Sequence, residues 1–244
     1  MLGSSVSCKG GGKLEIIAQT VEDAVAAERG GATQIDLKAD LLEGGVTPSA
    51  GMVERVCASV GIDVVVMVRP RVDRMVVSPD DIRIMCHDIG LSGDRGAAGF
   101  LLGALTADNE LDLHAILSFK DAADGLPLHF HMGWELSRDH ARTLEQMIEL
   151  GFRSARTTGG FGPSAKVTEG IEGARRFCEL AAGRIDLFLG GGVQAGNVAM
   201  LVRETVIIHA HAGTGVRTPV VASGAVMEEK VRQLKEYALL KTKV

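Results

Sequence analysis

Residues 63–71 read Asp-Val-Val-Val-Met-Val-Arg-Pro-Arg, and this stretch decides the fold. Val64, Val65, Val66 and Val68 are β-branched, and no polar residue alternates with them. A strand with one wet face alternates polar and apolar residues. An unbroken apolar strand is covered on both faces, as in a parallel sheet wrapped by helices. Arg69-Pro70-Arg71 closes the run and places two guanidiniums at its C-terminal tip.

The same unit recurs on both sides of this run. Upstream lie KLEIIA (13–18) and TQIDL (33–37). Downstream come GAAGFLLG (96–103), LPLHFHM (126–132), FRSARTTGG (152–160), RIDLFLGGG (184–192) and TVIIHAHAG (205–213). Between the runs the apolar period becomes helical. In 20–31 Thr20 caps a helix, Asp23 sits three residues on, and Gly30-Gly31 stops it. Ala24, Val25 and Ala27 fall near one face of that helix. Further helices are expected after Pro48 and over 79–91, 113–122, 139–150, 165–181, 195–203 and 225–241. Eight strands, each followed by a helix, predict an α/β protein of the (β/α)8 TIM-barrel class with a single domain over 13–244. An open doubly wound sheet is the weaker alternative, because GGGVQAG (190–196) lacks the GxGxxG order of a dinucleotide site. Residues 1–12, rich in Gly and Ser, read as a flexible lead-in with no signal-peptide core.

Composition narrows the function. A chain of 244 residues is long enough to bury a barrel core without disulfide or metal staples. The net charge of -5 argues against a nucleic-acid partner. No apolar run approaches the roughly 18–20 residues of a membrane span. Cys8, Cys57, Cys86 and Cys178 form no CxxC pair and read as separate reduced thiols in a cytoplasmic protein.

In such barrels the chemistry sits at the C-terminal ends of the strands. The polar candidates there are Glu15, Asp36, Glu43, Arg69, Arg71, His129, His131, Glu135, Arg156, Thr157, Thr158, His209 and His211. His129 and His131 share a strand face, as do His209 and His211. Two His-x-His pairs with several carboxylates aimed at one mouth point to a pocket, although any one of these histidines is also explained as a hydrogen-bonded barrel residue. Arg69 and Arg71 suit a carboxylate or phosphate, or else internal salt bridges to Glu15 or Asp36. Gly191, Gly192 and the Gly213–Gly215 cluster suit backbone N–H contacts to an anion, or simply tight turns. In LEGGVTP (42–48) Thr47 is expected to cap the next helix with Pro48 at its first position, which leaves Glu43 at the mouth.

These strings, together with EGGVTPS (43–49), VRPR (68–71), LHFHMGWE (128–135) and IHAHAG (208–213), make the chain resemble the CutC family over roughly 13–213. The resemblance implies a (β/α)8 barrel, a cytoplasmic homo-oligomer and a link to copper homeostasis, with Cu(I) held by cysteines. Soft thiolates do select Cu(I). The family's usual cysteines near the ends of strands one and two are here Ile17 and Lys38. Its FHRAFD string reads FHMGWE, with Met132 for arginine and Glu135 for aspartate. His209-Ala210-His211 stands where a serine often follows the first histidine. Two functions therefore remain open. One is copper handling, with copper as the implied metal. The other is an isomerase or lyase acting on a small anionic sugar-like or oxo-acid substrate. There His131 or Glu15 would serve as general base, and Asp36 or Glu135 would orient it or act as acid. A variant of the second binds a divalent metal through His131, His209 or His211 with Asp36 or Glu135.

Overall fold

The computed structural model describes residues 11–73 and 75–239. Residues 1–10 of the expected lead-in, with Cys8, and the last residues of the expected final helix lie outside them. The eight apolar runs form β1 (Leu14–Ala18), β2 (Gln34–Leu37), β3 (Asp63–Met67), β4 (Gly99–Leu102), β5 (Leu128–Phe130), β6 (Ser154–Thr157), β7 (Asp186–Leu189) and β8 (His209–Ala212). They pair in parallel in chain order, and β8 returns to β1 to close the barrel. The helices between them are α1 (Val21–Arg29), α2 (Ala50–Cys57), α3 (Pro79–Gly93), α4 (Leu113–Ala122), α5 (His140–Glu149), α6 (Ile171–Ala181) and α7 (Ala195–Thr205). A two-stranded antiparallel ribbon, β9 (Arg217–Thr218) with β10 (Ala225–Val226), precedes α8 (Glu228–Leu239).

The main apolar core lies between the outward strand face and the helices, with Ile16, Ile35, Val64, Val66, Phe100, Phe130 and Ala210 meeting Ala24, Val53, Ile89 and Phe119. Inside the barrel the apolar filling includes a small cluster of Val65, Met67 and Leu101, with Phe188 under the Arg156 guanidinium. Most barrels fill this space with branched aliphatic side chains. Here Glu15, Gln34, Asp36, His129, Ser154, Arg156 and His211 take much of it.

Several helix starts differ from expectation. Thr20 caps α1 as expected, accepting from the Asp23 N–H at 3.1 Å. Thr47 does not cap α2. Ser49 does, accepting from the Met52 N–H at 3.2 Å. Thr47 instead accepts from the Arg69 N–H at 2.9 Å, and its own N–H donates to the Arg69 carbonyl, so the loop is tied to the end of β3. α6 begins at Ile171 rather than 165, because the glycine-rich segment before it crosses the mouth as turns. α8 begins at Glu228 rather than 225, since Val226 pairs with Arg217. Arg217 also holds Asp23 of α1 at 2.9 Å and the Ile17 carbonyl at 2.8 Å, which fastens this C-terminal ribbon to the first strand.

Candidate functional site

The mouth is built from the loops that follow β2, β3, β5, β6, β7 and β8. Its inner part, about 190 Å³, is lined by Lys38, Arg69, His131, Arg156 and His211 with Met67, Met75, Met132 and Leu101. A wider outer part of about 510 Å³ shares Lys38, Arg69, Met132 and His211 and adds Glu43, Gly191, Gly192 and Gly213–Gly215. An inner space below the roughly 300–1,000 Å³ of drug-sized pockets suits a small molecule. Gly191 sits at φ +86°, and a Cβ there would lie 2.5 Å from the Ala165 carbonyl oxygen, so only glycine permits this crossing.

Below the mouth lies a closed network. Glu15 on β1 accepts from Arg156 Nε at 2.9 Å and also binds Arg156 Nη2 and Gln34 Nε2. Its Oε1 takes the Nδ1–H of His211 at 2.6 Å. Burial raises the Glu15 carboxyl, but the Arg156 guanidinium and the His211 hydrogen bond outweigh it and hold the group well below its usual range. Glu15 is therefore an anion with its lone pairs engaged, and it is not placed as a free general base. Its contact fixes the His211 tautomer with the proton on Nδ1, leaving Nε2 as a lone pair on the other side of the ring. His211 lines both parts of the mouth, which puts its ring within reach of a bound molecule.

His131 has the opposite tautomer. Its Nδ1 accepts from the Gly133 N–H at 3.0 Å, so the neutral ring carries its proton on Nε2. Burial pushes His131 down to about 3, with the cations Arg69, Lys38 and Arg156 adding to the shift. A neutral imidazole that donates through Nε2 is an electrophile, suited to polarising a carbonyl rather than removing a proton. With Nδ1 engaged by the Gly133 N–H, His131 offers the mouth a donor and not the lone pair a base needs.

Asp36 on β2 is fully buried, and Lys38 Nζ stands 2.8 Å from its Oδ2. The approach is an ion contact off the hydrogen-bond line, so both Asp36 oxygens lack a hydrogen-bond partner among the described residues. Lys38 was read in the sequence only as a missing cysteine, yet it lines the inner and outer mouth alike. Arg156 was one of the polar candidates at the strand ends but was given no role, and it lies under the pocket as a cation paired with Glu15.

Other candidates lie elsewhere or are already engaged. His209 is at the opposite end of the barrel, where its Nδ1 accepts from the Lys13 N–H at 2.9 Å and its Nε2 lies 3.7 Å from Asp186. His129 stays in the closed interior, with Nδ1 2.7 Å from Ser154 Oγ, and burial pushes it down to about 3. Arg71 does not reach Glu15 or Asp36. It binds both oxygens of Asp81 on α3, at 2.7 and 2.6 Å, and holds that carboxyl far below its usual range. Arg69 does not reach them either. It donates to the Val72 carbonyl at 2.7 Å and keeps its face to the mouth. Glu135 is turned away from the mouth. Its two oxygens gather the hydroxyls of Thr157 and Thr158 and the N–H groups of Thr158, Gly159, Gly160 and Gly162. Thr157 and Thr158 thus hold an internal anion, and Glu135 staples the loop after β6.

The donors were tested against a metal. Glu15, Asp36 and His211 offer three ligand atoms within 4.8 Å of one another. Arg156 already occupies Glu15 and Lys38 already faces Asp36, so a divalent ion would displace two buried cations, and the set does not fit one. Cys57, Cys86 and Cys178 are half-buried on α2, α3 and α6, away from the mouth. Burial raises the Cys57 and Cys86 thiols, the reverse of what a thiolate ligand needs. Among the described residues no helix is long and apolar enough to cross a membrane.

The sequence profile of the CutC family matches residues 12–216. A family protein CutC from Pasteurella multocida is 34% identical over 206 residues, 84% of this chain and 83% of its own length. A human protein named copper homeostasis protein cutC homolog is 38% identical over 189 residues, 78% of this chain and 68% of its own. The crystal structure of a putative copper homeostasis protein CutC from Streptococcus agalactiae superposes with a TM-score of 0.77 at 31% identity, covering 82% of this chain and 97% of that one. A phosphoribosylanthranilate isomerase from Pyrococcus furiosus, at 12% identity and a TM-score of 0.63, shares the barrel fold.

Proposed function

The chain belongs to the CutC family, and on that premise we propose that its barrel mouth binds a small anionic organic molecule and acts on it by acid–base chemistry. The observation that carries this reading is the hydrogen bond from His211 Nδ1 to Glu15 at 2.6 Å. It orients a histidine whose free nitrogen serves a cavity bearing Lys38, Arg69 and Arg156. Glu15 is anchored by Arg156 and does for His211 what the buried carboxylate does in a hydrolase triad. It fixes the tautomer and steadies the imidazolium that forms.

The geometry supports the following roles. Arg69 is the guanidinium left facing the mouth after Arg71 is taken by Asp81, and it anchors a carboxylate or phosphate. The Nε2–H of His131 polarises a carbonyl, and His211 Nε2 removes a proton from the adjacent carbon. The outcome is an isomerisation or an elimination on an oxo- or hydroxy-acid. Copper enters through the names of relatives. Any part this chain has in copper handling runs, in this proposal, without a thiolate site at the mouth, because Ile17 and Lys38 stand where the family's cysteines are expected.

A thermal-shift titration tests the binding step. Near-saturating ligand, at about 100 times Kd, stabilises by roughly 2.7 kcal/mol. For a chain of this size that is a rise in Tm of about 5–10 °C. A panel of phosphate and small oxo- and hydroxy-acids should contain compounds that raise Tm in the wild type and in Arg71→Ala. Arg69→Ala should lose most of the rise. Equal shifts in Arg69→Ala and wild type would refute the site.

A further inference from the structure

Lys38 is buried, with 5% of its surface exposed, yet it lines both parts of the mouth. Its stem is held by the loop 43–49. Gly45 has φ +100°, and a Cβ there would lie 2.4 Å from Lys38 Cδ. The glycine therefore lets the loop close over the lysine stem. Asp36 stands 2.8 Å from the ammonium, its oxygens without hydrogen-bond partners among the described residues. His211 Nδ1 lies 3.8 Å from the same Asp36 oxygen. A lysine sleeved in this way, facing a cavity and beside a carboxylate with spare lone pairs, is arranged as a nucleophile with its proton acceptor.

We propose that Lys38 forms a Schiff base with the carbonyl of a small 2-oxo acid bound in the mouth, its carboxylate on Arg69. The inference rests on the acid–base reading of the mouth and names its substrate class. The ammonium of Lys38 gives one proton to Asp36, and the freed amine lone pair attacks the carbonyl carbon. The carbonyl oxygen, polarised by the hydrogen bond from the Nε2–H of His131, takes the proton that Asp36 received, and the amine nitrogen sends its second proton through Asp36 to the departing hydroxyl. One C–N bond forms, both C–O bonds break, and the oxygen leaves as water. The lysine ends as a protonated imine, so charge and atoms balance with no oxidant, reductant or metal. The positive imine then draws electrons from the neighbouring carbon, which is where His211 Nε2 removes a proton. Lys38 thereby serves as the electron sink for the proposed isomerisation or elimination.

The test is reductive trapping of the full-length protein. Pyruvate, glyoxylate and 2-oxobutyrate are each incubated with it and sodium cyanoborohydride, with acetone as the carbonyl lacking an anion and acetate as the anion lacking a carbonyl. Intact mass and peptide mapping then locate the adduct. The expected result is one adduct per chain, on Lys38, formed at least tenfold faster than on the exposed lysines and weakly with acetone. Arg69→Ala should slow trapping at least tenfold. Lys38→Met should abolish the site-specific adduct, and mapping of the wild type gives the answer even if that variant fails to fold. Adducts spread evenly over the lysines, or none on Lys38, would overturn the proposal. If 2-oxo acids raise Tm but do not trap, the Schiff base fails and the acid–base pocket stands. If they neither bind nor trap, both fail.

Discussion

Replacing His131 by Asn should make the protein less sensitive to acid, and the size of the effect follows from burial. The native His131 ring is held near 3 by burial and by Arg69, Lys38 and Arg156. The unfolded ring titrates near its ordinary value of about 6.5. A folded value lower than the unfolded one gives stability that is complete above about pH 6.5 and is lost as pH falls toward 3. Between pH 7 and pH 5 the unfolded chain takes up most of one proton at this ring while the native ring takes up almost none. The linkage integral over that span is roughly 2 kcal/mol. The figure is insensitive to where the native ring titrates, provided that point lies well below 5. His129, also pushed down to about 3, adds roughly 2 kcal/mol with the same sign. The pair thus removes about 4 kcal/mol of a stability that in ordinary domains is about 5–15 kcal/mol. Asn at 131 keeps an acceptor for the Gly133 N–H and is a good residue for the start of the short turn Met132–Leu136. It loses the edge contact to Phe130, a cost of about 1 kcal/mol or less at pH 7. Urea unfolding of both proteins at pH 7, 6 and 5 should show the variant overtaking the wild type, with a difference that changes by about 2 kcal/mol across the range. Parallel stability curves would mean that His131 titrates normally, and that its role as a neutral electrophile is wrong.

Two further outcomes follow from groups placed by the fold. Glu135→Gln turns a carboxylate that accepts from two hydroxyls and four backbone N–H groups into an amide with donors of its own, so stability should fall by about 3 kcal/mol or more. The measurement is chemical denaturation, and a change under about 1 kcal/mol would show that the loop after β6 does not depend on this anion. Changing Cys57, Cys86 and Cys178 to Ser should leave Cu(I) binding, measured against a competing chelator, as it is in the reduced wild type. Tight stoichiometric binding that the serines abolish would show that copper ligands come from the outer helices.

Much of the fold was legible because its signal is local. Most strands lie in short, largely apolar runs, and the unbroken valines of 64–66 report burial on both faces from sequence alone. The helix starts failed where a capping residue had competition. Thr47 and Ser49 both precede α2, and only the tertiary contact to Arg69 decides that Thr47 serves β3 while Ser49 serves the helix. At 225–227 the residues read as helix, but pairing of β10 with β9 takes them first.

The site was legible in face but not in height. Strand parity puts His209 and His211 on the same face, and it holds no information on which end of the barrel each occupies. Two residues along a strand span about 6.6–7 Å, enough to separate the floor near Lys13 and Asp186 from the mouth. The same limit hides the partners of a charge. Arg69, Arg71 and Arg156 are equivalent in sequence as cations at strand ends. Their fates differ because Asp81 sits at the third position of α3, within reach of Arg71, while Glu15 sits across the barrel from Arg156. Lys38 shows what a comparison of motifs leaves out. Against the family pattern it counts as a lost cysteine and so as a lost copper ligand. In the folded chain it places a buried amine against Asp36 under a loop whose glycine makes room for it. A cation at that point disfavours a second cation and favours an anion, so the change that removes the expected copper ligand is also the one that supports the anionic ligand we propose.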